Sequence, residues 1–211
     1  MNQKKLFIVR HGETEFNKKG MVQGSGIDAS LNETGKRQAR DFYNAYADYP
    51  FDKIYISKLI RTKESVQSFI DKGIDYEALA GLNEISWGSQ EGKPFTPETA
   101  SIYKETTDRW RRGELDLNLD GGESPNAVMK RQKEAFTHIL SRQHERQVLI
   151  CMHGRAIRIL LCWIQGIQLS EMDQFEHQNL GLYELGATDS GFEILRRNDV
   201  SHISFSYSHD V

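Results

Sequence analysis

Apolar residues fall along the chain in short runs that alternate with longer segments of helical spacing. The short runs predict strands at 5–9, 53–57, 76–80, 147–152, 180–186 and 191–197. Segments with apolar residues on one side predict helices near 34–48, 59–72, 96–112, 125–144 and 154–165. The helix from Thr34 follows a polar cap, and Ser124-Pro125 reads as an N-cap and first helical residue. Thr188-Asp189-Ser190-Gly191 is turn-rich and predicts a hairpin joining the last two strands. Strands alternating with helices in this order predict an α/β fold, a three-layer α/β/α sandwich. Its mixed sheet is mostly parallel, with one antiparallel strand and helices on both faces. Residues 86–122 break the alternation with Trp87, Trp110, the cations Arg109, Arg111 and Arg112, and the pair Gly121-Gly122. Most of those charges read as the solvated side of a helix and loop packed by tryptophans.

Polar residues end the apolar runs at particular places. Phe7-Ile8-Val9 stops in Arg10-His11-Gly12-Glu13, so a buried strand delivers two basic side chains at its carboxyl end. In an open α/β sheet ligands bind at that end. Arg10 is costly to bury without a partner, and an anion is the natural one. Gly12 would let the backbone turn sharply and a ligand approach closely. Taken alone, the tripeptide also fits a surface arginine and a core histidine after an edge strand. Leu149-Ile150-Cys151-Met152-His153-Gly154 repeats the arrangement. Two such strands as neighbours would bring His11 and His153 side by side, and which imidazole would attack a substrate stays open.

Ser57 closes another short strand, with Arg61 in the first turn of the following helix. The helix dipole disfavours a cation there, so Arg61 points to an expected anion, or else to a solvated helix face. Glu84 lies between apolar neighbours, just before the glycines at 88 and 92. A carboxylate drawn out of water there can serve as a proton donor, although most glutamates beside loops are simply solvated.

With these pieces in order, the chain resembles the histidine phosphatase superfamily, also called the phosphoglycerate-mutase-like family. Arg10-His11-Gly12-Glu13-Thr14 with Asn17 matches the motif at the first strand, and Ser57 with Arg61-Thr62 the second. Leu82-Asn83-Glu84 with Gly88 and Glu91-Gly92 matches the third, and His153-Gly154 the fourth. The stretch from Asp28 to Gly35, followed by Gln38-Ala39, looks like the connection into the first long helix. The resemblance covers nearly the whole chain and implies one domain over 1–211, with 86–122 inserted as a cap over the substrate.

The resemblance also implies roles. His11 is the nucleophile that forms a phosphohistidine, and Arg10 and Arg61 clamp the phosphoryl oxygens. His153 hydrogen-bonds the transferring group, while Glu84 protonates the leaving alcohol and then activates water. Asn17, Gln23, Gly24 and Gly154 join Arg10, Arg61 and His153 as implied phosphate or substrate contacts. The implied activity is histidine acid-phosphatase-type hydrolysis of a small-molecule phosphomonoester, independent of metal and without a cofactor. The alternative is a primer-dependent phosphoglycerate mutase, which returns the phosphate to its substrate. Mutases of that kind usually carry a longer insertion between the acid and the second histidine than the interval from Glu84 to His153. A catalytically quiet phosphate-ligand sensor is a third reading, disfavoured because the full reactive set is present.

Composition narrows the setting. A formal net charge of −3 over 211 residues gives no global basic field for nucleic acid. No apolar stretch approaches a membrane span, so neither nucleic acid nor membrane is an expected partner. The expected partner is a small phosphorylated metabolite. Met1-Asn2-Gln3-Lys4-Lys5 runs straight into the first strand without a signal-peptide pattern, which makes a cytoplasmic location the expectation. Cys151 and Cys162 are expected to be reduced structural thiols. Asn32-Glu33-Thr34 fits the glycosylation pattern only by accident. The other histidines, His138, His144, His177, His202 and His209, form no ligand set, and His138 and His144 are expected on a helix surface.

Overall fold

The computed structural model of the protein describes residues 4–188 and 191–204. Six strands form one sheet: β1 (Lys5–Arg10), β2 (Lys53–Ile56), β3 (Tyr76–Ala78), β4 (Gln147–Met152), β5 (Leu182–Thr188) and β6 (Gly191–Asp199). Their order is β3-β2-β4-β1-β5-β6, with the first four mutually parallel and β5 antiparallel to both its neighbours. The helices are α1 (Glu15–Lys18), α2 (Glu33–Tyr46), α3 (Ile60–Asp71), α4 (Pro97–Arg111), α5 (Pro125–Ser141) and α6 (Gly154–Gln165). The expected α/β/α sandwich with a mostly parallel mixed sheet is therefore what the chain forms. The hairpin residues 189 and 190, and His209, lie outside the described residues.

Leu6, Phe7, Ile8 and Val9 of β1 are all buried. A central strand covered on both faces needs apolar residues at every position, not at alternate ones. The two-residue period then sorts them. Leu6 and Ile8 join Val148 and Ile150 against α5 and α6, whereas Phe7 and Val9 join Leu149 and Cys151 against α2 and α3. Local chemistry sets the helix ends. Asn32 accepts from the Gly35 amide at 2.8 Å, Ser124 caps α5 ahead of Pro125, and Gly166 takes the left-handed conformation (φ 64°) that closes α6.

Several expectations shift. Helix α5 stops at Ser141, so His144 lies in the following turn and not on a helix; His138 stays on α5, 3.1 Å from Glu77. Strand β5 begins at Leu182, two residues later than the apolar run suggests. Leu180 has φ 54°, and its amide donates to the Arg10 carbonyl at 3.1 Å, so the chain first turns across the end of β1. Helix α1 and a 3-10 turn at Leu169–Gln174 are too short to leave a periodic signal. A reciprocal capping box between Thr14 and Asn17 holds α1.

The segment 86–122 supplies a 3-10 turn at Gly88–Gln90, helix α4 and the loop after it. Trp87 and Trp110 pack with ring centroids 5.3 Å apart, and the Trp110 indole N–H donates to the Leu117 carbonyl at 2.9 Å. Arg111 at the end of α4 reaches Asp173 at 2.8 Å, tying this segment to the 3-10 turn beyond α6.

Gly12 has a role different from the one its sequence suggests. A Cβ there would lie 2.7 Å from the Gly35 carbonyl, and one on Gly35 only 2.1 Å from the Glu13 carbonyl. The glycine pair lets the turn after β1 pack directly on the start of α2, rather than making room for a ligand. Gly35→Ala should therefore destabilise the fold by about 1–3 kcal/mol, the usual range for overpacking. A fall in the urea unfolding midpoint measures it, and an unchanged midpoint would show that the two backbones part freely.

Candidate active site

Strands β1 and β4 pair in parallel with Arg10 opposite Met152, so the residues just past them emerge together. The His11 amide donates to the Met152 carbonyl at 3.0 Å, and the rings of His11 and His153 lie 5.1 Å apart. Over these strand ends opens a cavity of about 390 Å3. Its wall includes Arg10, His11, Asn17, Gln23, Glu84 and Gly154 from the expected set.

The two imidazoles are not equivalent. His11 Nδ1 lies 2.7 Å from the Gly12 carbonyl. A carbonyl only accepts, so Nδ1 carries the proton and Nε2 holds the free lone pair. His153 Nδ1 accepts from Arg61 Nε at 3.2 Å, which leaves its proton on Nε2, 2.8 Å from the Ser57 hydroxyl. Both nitrogens of His153 are thus engaged by the protein, and His11 alone of the pair presents a lone pair at the cavity wall. Burial first, then Arg61 and Arg10, hold His11 well below the ordinary imidazole range, so it stays neutral. Burial and Arg61 do the same to His153.

Arg61 is fully buried. Beyond His153, its guanidinium donates to the carbonyls of Ile27 at 2.6 Å and Gly24 at 3.2 Å. Burial lowers its pKa to about 10, against the pull of Glu84 and Asp28, so it remains a cation at neutral pH. Arg61 and His153 therefore lie beneath the cavity wall, behind His11. Gly24, expected as a substrate contact, does not line the cavity. Its carbonyl holds Arg61, and a Cβ there would strike the Glu91 carboxylate at 2.1 Å.

Arg10 donates to the His177 carbonyl at 2.9 Å, while its Nε and the Gln23 Nε2 are buried donors without a partner among the described residues. Buried donors of this kind are rare unless something else satisfies them, which an anion in the cavity would do. Asn17 Oδ1 accepts from the Thr14 amide at 3.2 Å, leaving Nδ2 as the atom available to a ligand. Glu84 is nearly buried. Its Oε1 accepts from the amides of Ile85 and Ala156, each at 2.9 Å, and its Oε2 from the Arg155 amide at 3.1 Å. The carboxylate thus sits at the amino end of α6, facing the cavity.

The cavity wall also holds residues that the sequence did not assign to the site, among them Tyr103, Arg155, His177 and Asn179. Only Arg155 carried a local signal, directly after His153-Gly154. Asn179 donates to the His11 carbonyl at 2.9 Å. Gly154 is required because a Cβ there would meet the His177 ring at 2.9 Å. Burial, then Arg10 and Arg158, push His177 down to about 3.

A family model of the histidine phosphatase superfamily (branch 1) matches residues 6–200. The chain belongs to that superfamily. Phosphoserine phosphatase 1 of Hydrogenobacter thermophilus is 28% identical over 96% of each chain. A 2,3-bisphosphoglycerate-dependent phosphoglycerate mutase of Rhizobium etli is 32% identical over 74% of this chain and 77% of its own. The solved structure of Bacillus stearothermophilus YhfR superposes with a TM-score of 0.82 at 25% identity, covering 95% of this chain and all of that one. Members named as phosphatases and as mutases are both among these relatives, so the chain is a superfamily enzyme of one of those two kinds.

The buried histidines fix how acid acts on the protein. His11, His153 and His177 all sit below the value of 6.5 that an unfolded chain retains. Below that value the unfolded state binds more protons, so their contribution is complete above about pH 6.5 and is lost as pH falls toward their folded values. At pH 5, each histidine still neutral in the fold has lost about 2 kcal/mol of its contribution. Urea midpoints at pH 7 and 5 should show the drop, with histidine 15N shifts still neutral at pH 5. Protonated His11 and His153 signals at that pH would contradict the assignment.

Proposed function

We propose that the chain is a phosphatase that hydrolyses a small phosphomonoester through a phosphohistidine on His11, without a metal. The observation that carries this reading is the His11 Nε2 lone pair at the cavity wall, with its Nδ1 proton fixed on the Gly12 carbonyl. In the first step Nε2 attacks phosphorus, the P–O ester bond breaks, and Glu84 gives its proton to the departing alkoxide. In the second, Glu84 takes a proton from water, the water oxygen attacks phosphorus, and the P–N bond breaks to release inorganic phosphate. Splitting the reaction in this way replaces one difficult displacement with two easier ones. Arg10, Gln23 and Asn17 supply donors toward the phosphoryl oxygens, and Arg61 adds positive charge from behind His11. Proton transfer by a placed carboxyl is typically worth about 10²–10⁴-fold in rate.

Hydrolysis is favoured over phosphate return because segment 86–122 bounds the cavity with a single helix and its lead-in. Phe95, two-thirds exposed at 68%, stands at the rim. A cavity bounded so lightly admits water, which hydrolysis needs and a mutase must keep from its phosphohistidine. A mutase remains the second reading, supported by the identity to the Rhizobium enzyme. A small phosphorylated metabolite suits a cavity of about 390 Å3, whereas a nucleic acid or a membrane surface does not. Cys151 and Cys162, both buried and free, suit the reducing cytoplasm in which we place the activity.

His11→Ala should abolish turnover and the acid-labile phosphoenzyme together; an adduct surviving on another residue would refute the nucleophile. Glu84→Gln should slow alkyl phosphates by about 10²–10⁴-fold and p-nitrophenyl phosphate much less, because only the poor leaving group needs the proton. Equal losses on both would deny Glu84 its acid role. Incubation with 3-phosphoglycerate, with and without bisphosphoglycerate primer, separates the two readings. Free phosphate marks the phosphatase, and conversion to 2-phosphoglycerate without net release marks the mutase.

A further inference from the structure

Arg155 is a cation in the cavity wall that phosphoryl transfer does not use. Its side chain is buried, with its guanidinium 5.8 Å from the Trp110 ring. It donates to the Tyr103 hydroxyl at 2.7 Å and to Asp173 Oδ1 at 2.5 Å. Arg158 and Arg111 also bind Asp173. Even with Arg111 assigned to its second partner Asp108, Arg155 and Arg158 share one carboxylate, an excess of one positive charge. A purely structural strut would be neutral, since unmatched buried charge is expensive.

Position tells which part of a substrate this charge would meet. The Arg155 amide donates to Glu84 Oε2, the carboxylate that protonates the leaving oxygen. Arg155 therefore stands beside the group that meets the departing alcohol, and its guanidinium bonds Tyr103 of segment 86–122, which also lines the cavity. Its bonds to Tyr103 and Asp173 occupy two of five N–H groups and fix the plane of the fork.

We propose that Arg155 binds a carboxylate carried by the leaving alcohol, making the enzyme selective for short phosphorylated hydroxy acids. The inference rests on the phosphatase reading. A planar guanidinium already held in one orientation matches a planar carboxylate bidentately, at little further entropic cost. A single shared arginine also suits a monoanion better than a second phosphate dianion.

The test compares phosphate release from 3-phosphoglycerate and glycerol 3-phosphate, which differ in a carboxylate against a hydroxymethyl group. Wild type should favour 3-phosphoglycerate in kcat/KM by about tenfold or more, and Arg155→Met should reduce that ratio by about 10- to 100-fold. Arg155→Lys, which keeps the charge and loses the fork, should fall between. Parallel losses on both substrates would make Arg155 a strut and overturn the proposal, as would an unchanged ratio. A stronger preference for fructose 1,6-bisphosphate that Arg155→Met removes would overturn it in favour of a second phosphate. Should the variants fail to fold, wild type decides: glycerate should compete with p-nitrophenyl phosphate far better than glycerol does, and equal competition overturns the proposal. Turnover of p-nitrophenyl phosphate without carboxylate preference defeats this inference alone. No turnover of any ester and no phosphohistidine defeats the phosphatase reading with it.

Discussion

The parallel pairing of β1 with β4 is the constraint on which the rest depends. Arg10 opposite Met152 fixes the register, and one step past it two histidines lie side by side. A slip of one residue would turn every β1 side chain to the opposite face, exchanging the Leu6 and Ile8 contacts for those of Phe7 and Val9. Because both faces are filled, no such slip is tolerated, and the core itself fixes where His11 points. Strand β4 reaches this place only because the chain leaves β1, builds β2 and β3 farther out, and returns between β2 and β1. That crossover creates the crevice.

Burial then does chemical work on the residues so placed. Taking the imidazoles out of water and setting arginines beside them keeps them neutral, the state that the nucleophile proposed for His11 requires. The same burial requires partners for the cations. Arg61 finds them in His153 and two carbonyls from the 24–27 loop, so a residue that compensates negative charge also locks the tautomer of the second histidine. Ser57 completes that lock from the opposite side of the ring. Glu84 is held by amides at the start of α6, directly after His153. Glu84, His153 and the amino end of α6 are therefore one mechanical unit.

A second set of charges is organised differently. Around Asp173, arginines from α4 and α6 meet a 3-10 turn that the hydrophobic pattern does not announce. These contacts join segment 86–122 to the body of the fold and bring Tyr103 and Arg155 together in the cavity wall. The sequence shows those arginines as a charged, helical stretch and nothing more. Pairing across more than sixty positions, as between Arg111 and Asp173, leaves no mark in local spacing.

What the sequence determined by itself was whatever depends on near neighbours. The apolar runs gave the strands, caps such as Ser124-Pro125 gave the helix starts, and the abrupt ends at His11, Ser57, Glu84 and His153 marked where chemistry collects. Tertiary structure decided the rest. It made Gly12 a packing contact for Gly35, turned Gly24 into support for Arg61, and delayed β5 while Leu180 bonds to the end of β1. It also distinguished the two histidines, whose local sequences are alike but whose ring nitrogens meet different partners. One donates to its own neighbouring carbonyl and keeps a lone pair, while the other is enclosed by Arg61 and Ser57. A strand's alternation or a helix's cap is written within a few residues; the tautomer of His153 or a shared charge depends on atoms that only the closed fold brings into hydrogen-bond reach.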